Sequence, residues 1–290
     1  MKIWLSALRV RQWNKQALIM LPLIALGDEV KVLDLGRLII IAFAFSLVAS
    51  SIYVFNDLQD LSDDKLDVVK SKRPFAAGII STNKGKTVGT ILLLAGFLTI
   101  FQTVEQNRQQ ILTLFIIYLI SNLLYSRFNL KKISIVGLTI VGLGFAIRFS
   151  IGTFVLDLEF STWAFILILQ LTMFMLSGKR FQTTLRNSSL HTQDSEQQFW
   201  LLSMVIFAAF FAATYSGFIT DPEVVAVWGK EALIISTLPL GLGLVRFVEL
   251  VNHPGKYLET DATESMTKDY LLLFLVAVFT AILFLGRICV

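Results

Sequence analysis

The chain has 290 residues, 55% of them apolar, and a mean hydropathy of +0.71, which excludes an ordinary soluble domain of this size. Its 25 Lys and Arg against 21 Asp and Glu leave a net charge of +4, too small a surplus to point to a nucleic-acid partner. The single cysteine, Cys289, excludes an internal disulfide and a cysteine-based metal site.

Residues 1–15 carry Lys2, Arg9, Arg11 and Lys15 around Trp4 and Trp13, a basic aromatic stretch suited to a membrane surface or to the positive flank of a first span. The first apolar run starts near Ala17 with no small-residue cleavage site close behind it, so no cleavable signal peptide is expected. Apolar segments follow at 16–27, 37–56, 86–104, 109–127, 133–155, 160–178, 199–218, 231–251 and 270–289. Most reach the roughly 20 residues that a helix needs to cross a hydrocarbon core of about 30 Å. The first is short and contains Pro22. The expected architecture is all-α: one domain over 1–290, a polytopic membrane bundle of about nine transmembrane helices.

The connections alternate in charge. Those after the second, fourth, sixth and eighth spans, with the N-terminus, hold nearly all the Lys and Arg. The opposite loops hold Asp28, Glu29, Asp34, Glu105, Asp157, Glu159, Asp221 and Glu223. The positive-inside rule then puts the basic loops on the cytoplasmic side of the cell's inner membrane.

On that side, YVFNDLQDLSDDKLDVVKSKRPFAAG (53–78) follows the second span. In a helix, Asp57, Asp60, Asp64 and Asp67 would fall at steps of three and four on one face. Such a face repels itself unless something neutralises it. Mg²⁺ does so, because it is held by one or two carboxylates together with substrate phosphates. A solvated acidic loop is the plainer alternative. Lys72 and Arg73 follow at once. Tyr125, Ser126, Arg127, Lys131 and Lys132 follow the fourth span, and Gly178, Lys179, Arg180 and Arg186 follow the sixth. Each basic cluster alone reads as a positive flank, but beside the acids it suits a diphosphate-bearing substrate.

Arg148 lies deep in the apolar IVGLGFAIRFSIG. A charge there is expensive and turns inward, either to an anion or to a buried acid. Gly137, Gly142, Gly144 and Gly152 would let helices come close around it. Asp261, Glu264 and Asp269 precede the last span and suit capping as well as catalysis. His191 and His253 lack ligand spacing.

NDLQDLSDDKLD at 56–67 resembles the NDxxDxxxD signature of the UbiA superfamily of intramembrane prenyltransferases, through Asn56, Asp57, Asp60 and Asp64. RVRQWNKQ (9–16), KSKRPFAAG (70–78), YSRFNLKK (125–132), GFAIR (144–148) and SGKR (177–180) are similar to the decaprenyl-phosphate phosphoribosyltransferase branch. Two departures stand out: Gly137 where the branch often has an Asp, and Thr183 near the place of another acid.

The resemblance implies nine helices and Mg²⁺-dependent transfer of 5-phosphoribosyl from phosphoribosyl diphosphate to a polyprenyl phosphate. Asp57, Asp60 and Asp64, with Asn56, would hold the metal and the diphosphate. Lys72, Arg73, Lys179 and Arg180 would bind the remaining phosphate charge, with Tyr125, Lys131 and Arg148 at the substrates. Arg11 and Lys15 would close the site. A homo-oligomer stays open. An aromatic prenyltransferase using a prenyl diphosphate would need a second acidic cluster, whereas GKRFQTTLRNSSLHTQDSEQ after the sixth span starts basic. A non-enzymatic transporter or lipid-binding protein would expect inverted repeats.

Overall fold

The computed structural model describes residues 2–128, 134–186, 194–252 and 268–290. Among these, eight helices are long and apolar enough to cross a membrane. They are α2 (Val32–Gln59), α4 (Thr82–Thr103), α5 (Arg108–Arg127), α6 (Ser134–Val155), α7 (Thr162–Arg186), α8 (Asp194–Thr220), α10 (Lys230–Asn252) and α11 (Tyr270–Cys289). Short helices α1 (Lys2–Ala7), α3 (Leu61–Leu66) and α9 (Pro222–Trp228) accompany them. The first apolar segment, 16–27, lies inside a 3-10 segment, Val10–Glu29, that also holds Pro22.

The chain divides into two compact units, Met1–Leu23 with Val30–Phe160, and Ile24–Glu29 with Ser161–Val290. In the first, α2 is the central stave. It packs on α4, α5 and α6, and 67% of its apolar window is buried against 22% for α4 and α5. Small residues make that packing tight: a Cβ on Gly96 of α4 would lie 2.6 Å from Val48 Cγ2 and 3.0 Å from the Ala44 carbonyl oxygen. Ser51 Oγ, fully buried on α2, donates to the Gly89 carbonyl at 2.8 Å. Phe45 meets the rings of Phe115 and Tyr118 on α5, with centroids 4.9 and 4.6 Å away. Outward, Ile91, Leu94, Leu98 and Phe101 form an exposed apolar stripe on α4, at the spacing of one helix face. In a membrane protein such a stripe meets lipid, because the helix has already satisfied its own backbone groups.

In the second unit α7 packs on α8, α10 packs on α11, and α10 also touches α7 and α8. Leu167, Phe211 and Tyr215 form a buried cluster there. The Tyr215 hydroxyl lies 2.5 Å from Ser236 Oγ, which settles both polar groups inside apolar surroundings. Asp221 caps α9 through the N–H groups of Glu223 and Val224 and accepts from Trp163 Nε1 at 3.0 Å. Asp269 accepts the Leu272 N–H at 2.8 Å and pairs with Arg246 through both carboxylate oxygens, at 3.2 and 2.7 Å. Of its two sequence readings, Asp269 takes the capping one. Asp261 and Glu264 lie outside the described residues, as do His191 and His253.

Candidate functional site

The acidic run does not continue as one helix. α2 ends at Gln59, Asp60 caps it with φ −84° and ψ 9°, and α3 starts at Leu61. The turn still leaves Asp57 and Asp64 together, 4% and 2% exposed. Asp67 is set apart. It follows α3 in extended conformation, and its Oδ1 accepts the N–H groups of Val69 and Lys70, both at 2.9 Å. Those two bonds favour the ionised form and hold the Asp67 carboxyl below the usual carboxylate range. Asp67 therefore shapes the turn into Lys70–Lys72 and does not join the buried pair.

Two arginines neutralise that pair. Arg9 Nη2 donates to Asp57 Oδ1 at 2.5 Å. Arg73 Nη1 lies between the carboxylates, 3.2 Å from Asp57 Oδ1 and 2.7 Å from Asp64 Oδ2. Buried acids demand such partners, since an unpaired buried charge costs several kcal/mol. A small apolar cluster sets the arginines in place: Ala7, Val54, Phe75 and Ile80 are buried together, with Trp4, Leu8, Leu58 and Leu61 around them. It holds α1, which leads into Arg9, and Phe75, two residues after Arg73, against the end of α2. Gly85 makes room for Phe75, whose Cε1 would lie 2.6 Å from a Cβ at that position.

The guanidinium of Arg9 also lies over the Tyr53 ring, 4.7 Å from its centroid. Arg9 escapes sequence reasoning. One of several basic residues on an N-terminal flank, it looks like any positive flank until folding brings it 48 positions along the chain to Asp57.

Two buried carboxylates converging on one cationic nitrogen form a hard oxygen donor set, which fits a divalent ion such as Mg²⁺. Among the described residues no group of three or more His, Cys, Asp or Glu gathers at metal-binding distance. Among the described residues the buried donor set is thus a pair of carboxylates, to which a substrate or water would add further ligands. Asn56, just before Asp57 on α2, and Asp60, between α2 and α3, are half-buried. Lys72 is exposed on the adjoining turn, and Tyr125 is half-buried near the end of α5. Lys131 lies outside the described residues. Lys179, half-buried, and Arg180, exposed, stand near the end of α7 in the second unit.

Arg148 is 4% exposed on α6. Its Nε donates to Gln16 Oε1 at 2.6 Å, Nη1 to the Gly144 carbonyl at 2.6 Å and Nη2 to the Tyr118 hydroxyl at 3.2 Å. The rings of Phe45, Tyr118 and Phe145 surround it at 4.6 to 5.5 Å. All these partners are neutral, so the alternative of a buried acid paired with Arg148 is not what the described residues form. Lys15 Nζ donates to Gln12 Oε1 at 3.2 Å and lies 5.9 Å from the Phe145 ring. Gly152 seats the N-terminal segment, because a Cβ there would run into the Ile19 carbonyl oxygen.

Comparison with known proteins finds a family model and several relatives. A family model described as the UbiA prenyltransferase family matches residues 18–256. A decaprenyl-phosphate phosphoribosyltransferase of Mycolicibacterium smegmatis is 32% identical over 181 residues, 61% of this chain and 55% of that protein. Its counterpart in Mycobacterium tuberculosis H37Rv is 29% identical over 180 residues, 61% of this chain and 58% of that one. The protein y4nM of Sinorhizobium fredii, described as uncharacterized, is 35% identical over 57% of this chain and 31% of its own length. The chain thus spans only about a third to somewhat over half of these relatives.

Among solved structures, one described as digeranylgeranylglyceryl phosphate synthase has a TM-score of 0.66 at 17% identity, covering 100% of this chain and 99% of that one. A UbiA homologue from Archaeoglobus fulgidus, bound to DMAPP and Mg²⁺, has a TM-score of 0.64 at 14% identity, covering 99% of each chain. At such identities the likeness is one of fold.

Proposed function

Because the chain belongs to the UbiA prenyltransferase family, whose model covers 18–256, we propose that it is a polyprenyl-phosphate phosphoribosyltransferase. It moves 5-phosphoribosyl from phosphoribosyl diphosphate to a polyprenyl phosphate in the cytoplasmic membrane, at a cytoplasm-facing site, and residues 1–290 act as one domain. The observation that carries the reading is the buried pair Asp57 and Asp64 converging on one cation, Arg73 Nη1. The mycobacterial relatives, by name, support the choice of donor and acceptor.

The chemistry fits the residues. An oxygen of the acceptor phosphate forms a bond to C1 of the ribose as the bond from C1 to the diphosphate oxygen breaks, and diphosphate leaves. That nucleophile is already anionic near neutral pH, so the reaction asks for no general base. It asks for positive charge at the departing diphosphate and for a fixed approach between the two substrates. When bound, Mg²⁺ would be held by Asp57 and Asp64 and would offset the charge growing on the leaving group.

By the resemblance, Asp60 and Asn56 would add oxygen ligands for the metal and the diphosphate. Arg73 and Lys72 bind diphosphate oxygens, and the resemblance assigns Lys179 and Arg180 to the phosphate charge of the donor. The basic start of 178–186 favours this reading over a prenyl diphosphate donor bound by a second acidic cluster.

The test is purified protein in lipid nanodiscs with Mg²⁺, labelled phosphoribosyl diphosphate and decaprenyl phosphate, followed by organic extraction. Label should enter the lipid phase, and Asp57→Asn should cut that rate by about 100-fold or more, the scale of removing one charge-stabilising group. Transfer from geranyl diphosphate to an aromatic acceptor, with none from phosphoribosyl diphosphate, would replace the reading by its rival.

A further inference from the structure

The two acids of the site are held by the chain's own cations, and the two partners differ in exposure. The side chains of Asp57 and Asp64 are 5% and 3% exposed, whereas those of Arg9 and Arg73 are 27% and 32% exposed. The acids are therefore enclosed, whereas each arginine reaches solvent on its outer side. Arg9 is also held in an uncommon backbone state. It lies between α1 and the 3-10 segment at φ 49° and ψ 45°, the left-handed region that residues with a Cβ seldom occupy. Its guanidinium reaches Asp57 from that position, over the Tyr53 ring.

We propose that Arg9 and Arg73 form a counter-ion latch on Asp57 and Asp64, which a divalent cation opens only in company with an anionic diphosphate. The inference rests on the function proposed above. A metal ion entering alone must displace both guanidiniums and leaves the pocket with an excess of positive charge. A metal ion entering with diphosphate leaves the carboxylates to the metal and gives the released guanidiniums an anion to hold. Metal and diphosphate must then bind cooperatively, each raising the affinity for the other by the same factor. The latch would guard the site against idle metal loading and link metal capture to the arrival of the donor.

The test uses Mn²⁺ and inorganic diphosphate on the full chain in nanodiscs. Bound Mn²⁺ is followed by loss of the free-ion electron paramagnetic resonance signal, corrected with a protein-free titration for Mn²⁺–diphosphate complexes in solution. Wild-type protein should bind Mn²⁺ weakly alone and about tenfold or more tightly with diphosphate. Arg9→Gln and Arg73→Gln should each bind Mn²⁺ alone about tenfold more tightly than wild type, the lower end of what one neighbouring guanidinium does to a carboxylate equilibrium. Both should lose most of the coupling to diphosphate.

Arg9→Lys, which keeps the charge, should stay close to wild type, and Asp57→Asn should lose the site. Mn²⁺ affinity in Arg9→Gln and Arg73→Gln equal to or weaker than wild type overturns the latch. Wild-type protein that binds Mn²⁺ equally well with and without diphosphate also overturns it, with no variant needed. Wild-type protein that binds no Mn²⁺ under either condition removes the metal site itself, and with it both the latch and the function on which it rests.

Discussion

Arg148 poses the sharpest question at the scale of single residues. A guanidinium inside a membrane span costs a few kcal/mol on insertion scales, and here it is offset by neutral groups alone: Gln16, Tyr118, the Gly144 carbonyl and three aromatic rings. The absence of an acid partner in the described residues sets the expected result of a substitution. Arg148→Met strands no buried carboxylate, so yield and melting temperature in detergent should match or exceed wild type. Activity should fall by about 100-fold if the arginine contacts an anionic substrate. Arg148→Lys keeps the charge but not the planar fork that serves Gln16, Gly144 and Tyr118 at once, and should lose activity as well. Misfolded Arg148→Met would make the arginine a tie between the N-terminal segment, α5 and α6, and a stable, fully active Arg148→Met would refute both roles. Arg148 is visible in sequence as one charge in an apolar run. Its partner Gln16 is not, because a glutamine near a membrane border carries no signal of its own.

Among the elements, α2 has a double role, as central stave of the first unit and as carrier of Asn56 and Asp57 at its end. Close approach around it and around α6 depends on glycines that have no room for a methyl group. Gly152→Ala would press on the Ile19 carbonyl and should destabilise the protein by about 1–3 kcal/mol, the usual cost of overpacking. Gly36→Ala has nothing within 4 Å of the added atom and should be neutral, or stabilising by up to about 1 kcal/mol through helix propensity. Thermal unfolding of the two variants in the same detergent checks the contrast, and equal melting temperatures would refute it. Helices of this kind are legible in sequence because length and hydropathy fix them: the expected segment 133–155 is the helix Ser134–Val155. The break at Asp60 is not legible, since LQDLSDDKL contains neither Gly nor Pro. What the break accompanies is tertiary: Arg73, nine positions beyond Asp64, meets both Asp57 and Asp64.

For the whole molecule, the open quantity is how many times the chain crosses the membrane. Eight helices qualify by length and composition among the described residues, and eight crossings alone would return the C-terminus to the face where the chain began. The ninth crossing rests on Val10–Glu29, which is 3-10 and kinked at Gly27, with φ 58° and ψ −118°. Runs of that helix type rarely exceed a few residues, and Gly27 divides this segment in two. The part before Gly27, at a rise of about 2 Å per residue, would reach roughly 30 Å, about the thickness of a hydrocarbon core. The charge pattern also needs this crossing, because the basic residues before Ala17 and those of 65–73 then share the cytoplasmic side. Cys289, exposed and the sole cysteine, gives the measurement directly. In sealed right-side-out vesicles a membrane-impermeant maleimide should label native Cys289. In the Cys289→Ser background, Ser6→Cys and Lys72→Cys should react only after the vesicles are opened. Ser6→Cys and native Cys289 reacting from the same face would reduce the crossings to an even number and leave the 3-10 segment on one surface of the membrane.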